Sequence, residues 1–138
     1  MKSAAIPVIR YADAERAIAW LCAAFGFEVF LKVPGEGGRI EHARLVLGES
    51  MVAVASLDRA GAFEQRFIAP AAAGGVTQAV LMMVSDPARI FASAKHANAK
   101  IIDDLHEFEL GGATFSCADR EGHVWVFTSH DHWRKLWE

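Results

Sequence analysis

Residues able to do chemistry are sparse in this sequence and fall into three groups. The densest is His130-Asp131-His132, with His123 shortly upstream. Alternate residues of an extended segment can converge on an ion, and imidazole with carboxylate is a zinc donor set, but the spacing is loose and equally describes a solvated tail. The second group is Arg10, His42 and Arg44. A guanidinium forks onto a carboxylate or phosphate, and an imidazole donates, accepts or acts as a general base near neutral pH. The third is Cys22, in a helical pattern, and Cys117, in a strand pattern. They read as two buried free thiols rather than a disulfide, which suits a reducing cytoplasm. No nucleophile elbow or paired-cysteine motif is present, and Gly35-Glu36-Gly37-Gly38 is a short acidic turn rather than a phosphate-cradling loop.

These residues must be positioned by one ordinary domain, since 138 residues leave no room for a second of normal size. A composition 53% hydrophobic and 22% charged excludes global disorder. Fourteen basic against seventeen acidic residues, with no dense Lys or Arg run, argue against nucleic acid as a partner. There is no apolar run of roughly 18 residues to span a membrane and no signal-length apolar run at the start. The expectation is a soluble, cytoplasmic protein.

Residues 6–11 read as a strand, and Asp13 caps a helix whose apolar face is Ala17, Ile18, Leu21, Ala24 and Phe25, with Gly26 as the stop. Strands at 27–33, 39–47 and 51–56 follow. The same order then returns: a strand at 78–84, a helix opened by Asp86-Pro87 with Ile90, Phe91, Ala94 and Ala97 on its apolar face, and strands at 100–103, 112–118 and 123–129. A shift of 73 residues puts Asp13 on Asp86 and Arg16 on Arg89, while a shift of 72 puts Val52 on Val124, Val54 on Val126 and Ser56 on Thr128. The chain is therefore expected to be a duplication, with βαβββ modules at about 6–57 and 77–130 joined by a connector, 58–76, which Phe63 and Phe67 anchor.

With Ile6-Pro7-Val8-Ile9-Arg10-Tyr11-Ala12-Asp13 before the first helix, Phe25-Gly26-Phe27 after it and Asp119-Arg120-Glu121-Gly122-His123-Val124-Trp125 in the last hairpin, the chain resembles the vicinal oxygen chelate superfamily of glyoxalases, dioxygenases and bleomycin resistance proteins. His42-Ala43-Arg44-Leu45 with Gly48, and Gly75-Val76-Thr77-Gln78, are similar to its PhnB-like, glyoxalase-related branch. The resemblance implies an α+β fold in which two βαβββ modules form a cup of curved mixed sheets with helices outside, frequently in a homodimer. It also implies a divalent metal inside the cup. The corresponding positions, seven residues before each capping Asp and in the last strand of each module, are here Ile6, Ala79, Val126 and, by the 72-residue shift, Val54. None carries a donor atom for an ion that needs N, O or S at about 2.0–2.6 Å, so no metal and no cofactor are expected. Gln78 is one residue from a ligand position and would need a bulge to reach it.

Strand alternation sends Ala43, Leu45 and Leu47 toward the helices and His42 and Arg44 into the cup. The same rule makes Arg10, Val54, Thr114, Ser116 and Val126 cup-facing and Trp125 and Phe127 core. An apolar concavity with a few convergent polar groups is a small-molecule pocket, so this set is the candidate ligand-binding site. Arg10 either meets a ligand anion or pairs with Glu41 or another acidic residue at the rim, and His42 is either a base or a structural hydrogen-bond partner. The leading expectation is a metal-free protein that binds a small molecule, sequestering an antibiotic or metabolite. The alternatives are a metal-dependent lyase or dioxygenase with displaced ligands and a silent interaction module. Trp133, Leu136 and Trp137 form an amphipathic end expected to pack on the body or help hold a homodimer.

Overall fold

Asp13 and Asp86 each accept a hydrogen bond from the backbone N–H three residues on, at 3.2 Å in both cases, and so begin the two main helices as their sequence contexts predict. The computed structural model describes residues 2–135; the predicted C-terminal residues Leu136 and Trp137 lie outside them. The first module runs β1 (Val8–Tyr11), α1 (Ala14–Phe25), β2 (Glu28–Pro34), β3 (Ile40–Leu47) and β4 (Ser50–Ser56). A one-turn helix, α2 (Pro70–Ala73), lies in the connector. The second module runs β5 (Ala79–Met83), α3 (Pro87–His96), β6 (Lys100–Glu107), β7 (Ala113–Ala118) and β8 (Val124–Thr128).

Each module folds its four strands into one mixed sheet, ordered β1-β4-β3-β2 in the first and β5-β8-β7-β6 in the second. The first strand of each module pairs parallel with the last, β1 with β4 and β5 with β8, and the remaining pairs are antiparallel. The helix closing each crossover covers one face of its own sheet, as parallel connections require. Two repeats of the same topology confirm the predicted architecture. β6 is longer than the expected 100–103, because its register shifts allow pairing with β7 to continue to Glu107.

The helix-side faces of both sheets drain into one apolar cluster that includes Leu21, Phe25, Leu45, Val52, Phe115 and Trp125, each at most 1% exposed. Phe25, at the end of α1, is the bridge: its ring lies 5.2 Å from Trp125 and 4.7 Å from Phe127 of the other module. The helices also bond directly, Trp20 Nε1 donating to the Ala97 carbonyl at 2.8 Å and Ser93 Oγ to that of Ala24 at 2.6 Å. Gly112 is fixed by a close approach, since a Cβ there would stand 2.6 Å from the His130 backbone nitrogen, and its φ of +79° suits glycine.

Both cysteines are free, Cys117 buried and Cys22 half-buried. Burial, helped by the Asp119 charge, pushes the Cys117 thiol from 9.0 up to about 12. The folded state thus holds this proton more tightly than the unfolded one, and the resulting stabilisation is complete below about pH 9 and lost as pH rises toward 12. Tyr11 acts in the same direction, because burial and then Asp119 raise its phenol well above 10.0. The guanidinium unfolding midpoint should therefore fall on the alkaline side, and less steeply in Cys117→Ala. Iodoacetamide should leave Cys117 unmodified in the folded protein; rapid native-state alkylation would contradict its placement.

Candidate functional site

Alternation gives each sheet a helix-covered face and an open one. On β1, Ile9 and Tyr11 are buried beneath the helices and Val8 and Arg10 point the other way. On β7 and β8, Phe115, Cys117, Trp125 and Phe127 are core, and Thr114, Ser116 and Val126 alternate to the other face, where Ser116 is itself buried. Val54 is a correction. It pairs with Ala43 and Ile9, is fully buried and belongs to the core; the open-face residue beside it is Ala53, paired with Val8 and Arg44. The physical reason is register: Met82↔Phe127 stands 73 residues after Ile9↔Val54 at both members, so the 72-residue shift is off by one and a one-residue slip exchanges the faces.

Arg10 is the most organised polar group of the open face. Its Nε and Nη2 donate to the two carboxylate oxygens of Glu64, each at 3.0 Å, a side-on fork. Its guanidinium carbon lies 4.8 Å from the centroid of Phe67 and 5.7 Å from that of Phe63, rings that meet edge to face. The expected anchoring role of these two phenylalanines thus takes the form of contacts with a cation on β1. The acidic partner is Glu64 of the connector, not Glu41. Hydrogen bonding from Arg10 holds the Glu64 carboxyl below the usual glutamate range. The connector is tied again by Arg39 to Asp58 at 3.1 Å, and Arg59 donates to the Phe67 carbonyl at 3.0 Å.

His42 and Arg44 bond to each other: Arg44 Nε donates to His42 Nε2 at 3.0 Å. That nitrogen is an acceptor while the bond lasts, which favours the structural reading of His42 over the basic one. In the second module Ser116 Oγ donates to Asp103 Oδ2 at 2.7 Å across the ladder, and Thr114 is half-buried between the β6 and β8 residues that pair with it. Open-face apolar side chains stay solvated in a single copy: Val8 is 45% exposed, Leu81 49% and Met83 42%, with Leu31 and Val33 similar.

A family-type metal does not fit this chain. With the register corrected, the four positions are Ile6, Ala53, Ala79 and Val126, and none offers a donor. The histidines at the end of the chain each bond a backbone carbonyl through one ring nitrogen. His130 is buried and its Nδ1 donates to the Gly111 carbonyl at 3.2 Å; His132 Nδ1 donates to the His130 carbonyl at 3.2 Å; His123 Nε2 donates to the Arg10 carbonyl at 3.0 Å. Among the described residues no group of three or more His, Cys, Asp or Glu is arranged to hold an ion.

Two hollows lie away from Arg10, His42 and Ser116. One, of about 220 Å³, sits at the module junction against Tyr11, Arg16, Trp20 and Asp119. Its floor is a hydrogen-bond node: Asp119, 7% exposed, accepts from Tyr11 Oη at 2.6 Å, Trp125 Nε1 at 3.1 Å and the backbone N–H groups of Glu121 and His123. Glu121 in turn accepts from the backbone of Ala12 and Asp13 at 2.7 and 3.0 Å. The other, a groove of about 820 Å³, runs past Phe25, Leu47, Leu81 and Met83 to Trp133, which is 87% exposed and does not pack on the body. Sequence reasoning missed Glu64, Asp103 and Tyr11. Each is half of a pair whose other half is distant in sequence, and the Asp119 turn stood out only by family likeness.

The fold recurs in solved structures. TioX from Micromonospora sp. ML1 is 31% identical over 91% of this chain and 94% of its own, with a TM-score of 0.72. A FosX variant from Listeria monocytogenes, crystallised with Mn(II) and dihydroxypropylphosphonic acid, is 8% identical over 96% of this chain and 93% of its own, with a TM-score of 0.67. A glyoxalase I mutant from Zea mays is 15% identical over 89% of this chain and 43% of its own, also at 0.67. No curated protein sequence matches. The profile of the Glyoxalase/Bleomycin resistance protein/Dioxygenase superfamily matches residues 4–127, and with the paired βαβββ modules this establishes that the chain belongs to that superfamily.

Proposed function

We propose that this protein binds an amphipathic small molecule without a metal, in the manner of a sequestering protein for an antibiotic or metabolite. The observation that carries the reading is the pairing of donor-free Ile6, Ala53, Ala79 and Val126 at the family's metal positions with an open face that combines apolar side chains and a few convergent polar groups. Within the superfamily we read it in the PhnB-like branch, on His42-Ala43-Arg44-Leu45 and Gly75-Val76-Thr77-Gln78. Arg10, His42, Arg44, Thr114, Ser116 and Val126 are the ligand-facing set.

A second copy of the chain is the proposed partner. Val8, Leu31, Val33, Leu81 and Met83 form apolar sheet surface that one copy leaves in water, and superfamily members are often dimers. A cup closed by a second copy gives the open faces the walls they lack alone. We assign the protein to the cytoplasm, a reading supported by its two free thiols; no helix among the described residues is long and apolar enough to cross a membrane.

The test combines two measurements on untagged protein. Nile red, a neutral apolar dye, should bind saturably with a blue-shifted emission. Inductively coupled plasma mass spectrometry after incubation with Zn, Ni, Mn or Fe(II) and removal of loose ions should find no stoichiometric metal. A retained stoichiometric ion would make the metal-dependent lyase or dioxygenase the better reading, and absence of saturable dye binding would favour the silent interaction module.

A further inference from the structure

Of the polar groups on the open face, Arg10 alone is already built as a receptor. Its side chain is 12% exposed, its Nε–Nη2 edge meets a carboxylate through two 3.0 Å bonds, and two phenyl rings lie together on one side of its guanidinium carbon. The carboxylate in place belongs to the connector, which is fastened at its start by Leu57 to the Tyr11 carbonyl and by Asp58 to Arg39 but buries little beyond them. No residue from Leu57 to Ala69 is buried, Glu64 sits on a single 3₁₀ turn (Glu64–Arg66), and Phe63 and Ile68 are each 59% exposed. Segments with little buried apolar surface open at low free energy.

We propose that Glu64 is an internal stand-in for a ligand carboxylate: residues 57–69 form a latch over Arg10, and an aromatic carboxylate displaces Glu64 and takes its two hydrogen bonds. This rests on the open face being the ligand-binding surface and adds the ligand's chemical class. The exchange is close to neutral in hydrogen bonds, because Arg10 keeps its bidentate partner. Selection for an aromatic acid comes from what opening removes: Phe63 and Phe67 leave the guanidinium together with Glu64, and a carboxylate carried on a flat ring covers the vacated apolar surface where a small aliphatic acid leaves it bare. A tethered competitor also sets a threshold. Glu64 is present at a high effective concentration, so a small acid that binds only the arginine fork loses to it, and one that also occupies apolar surface wins.

The latch has a quantitative signature. If only the open form accepts ligand, apparent affinity is reduced by the fraction open, and slow trypsin cleavage after the exposed Arg66 reports the same fraction. Glu64→Gln should therefore speed cleavage at Arg66 and tighten 2-naphthoate binding by a common factor, about three- to tenfold for a partly buried pair reinforced by the aromatic contacts. Saturating 2-naphthoate should speed cleavage of the wild-type protein, and neutral 2-naphthamide should not. Arg10→Gln should open the latch yet lose 2-naphthoate. Glu64→Asp, which shortens the arm, provides a second opening variant should the first be unstable by thermal denaturation.

Unchanged cleavage in both Glu64 variants would overturn the proposal, as would equal binding of 2-naphthoate and 2-naphthamide or no binding of either. Nile red distinguishes that failure from failure of the broader reading. Dye binding that persists while 2-naphthoate is ignored removes the latch and the ligand class but leaves small-molecule binding in place.

Discussion

Asp119→Ala should lower the unfolding free energy by about 3–5 kcal/mol and the melting temperature by roughly 10–20 °C, measured by guanidinium titration and calorimetry. The carboxylate is the common acceptor for Tyr11 of the first module and Trp125 of the second, and it ties down the turn that leads into β8. Alanine leaves a buried phenol and a buried indole N–H without acceptors, at about 1–3 kcal/mol each. Asparagine in place of the aspartate keeps one oxygen but sets an amide donor among donors, so Asp119→Asn should fall between wild type and Asp119→Ala. Tyr11→Phe, which removes one donor cleanly, should cost about 1 kcal/mol. A loss below that in Asp119→Ala would show that water replaces the carboxylate and that the node does not join the modules.

The second large effect is expected at Leu81, on the open face of β5 and 49% exposed. Leu81→Glu adds a charge to a surface that one copy leaves in water, so the isolated chain should fold with stability within about 0.5 kcal/mol of wild type. In a symmetric dimer the same change appears twice and places carboxylates in apolar contact. Several kcal/mol per copy correspond to a dissociation constant raised on the order of 10⁴-fold. Sedimentation should then give a species of 15.0 kDa where the wild type gives twice that, and Nile red binding should be lost together with the dimer. An unchanged sedimentation coefficient in Leu81→Glu would place the contact elsewhere, and dye binding by the monomer would show that one open face suffices.

Helix boundaries were plain in the sequence because capping is local chemistry: Asp13 and Asp86 bond three residues away, and Gly26 takes φ of +88° at the end of α1. Strand faces were plain where polar and apolar residues alternate, as in His42-Ala43-Arg44-Leu45. They were not in β4, where Met51-Val52-Ala53-Val54-Ala55 is apolar on both sides and carries no period of two. Aligning valine with valine then matched Val54 to Val126, although the residue at its structural position is the bulky Phe127. The donor-free character of the metal positions survived, since Ala53 binds ions no better than Val54. The partner of Arg10 was hidden for a different reason. The connector has no periodicity to say which way it runs, so Glu41, next to His42 on β3, was as good a candidate as Glu64.

The shared core reached from both sheets bears on how such a chain can be divided. Phe25 is packed against Trp125 and Phe127, and Tyr11 is bonded to Asp119, so each half owes part of its interior to the other. A chain severed in the connector should yield two fragments that fold as a complementing pair and not as two small independent proteins, with circular dichroism of each half alone showing little structure until they are mixed. By the same logic a half-length chain with this interior would need a second copy to complete its core, and the connector replaces that encounter between molecules with a loop closure.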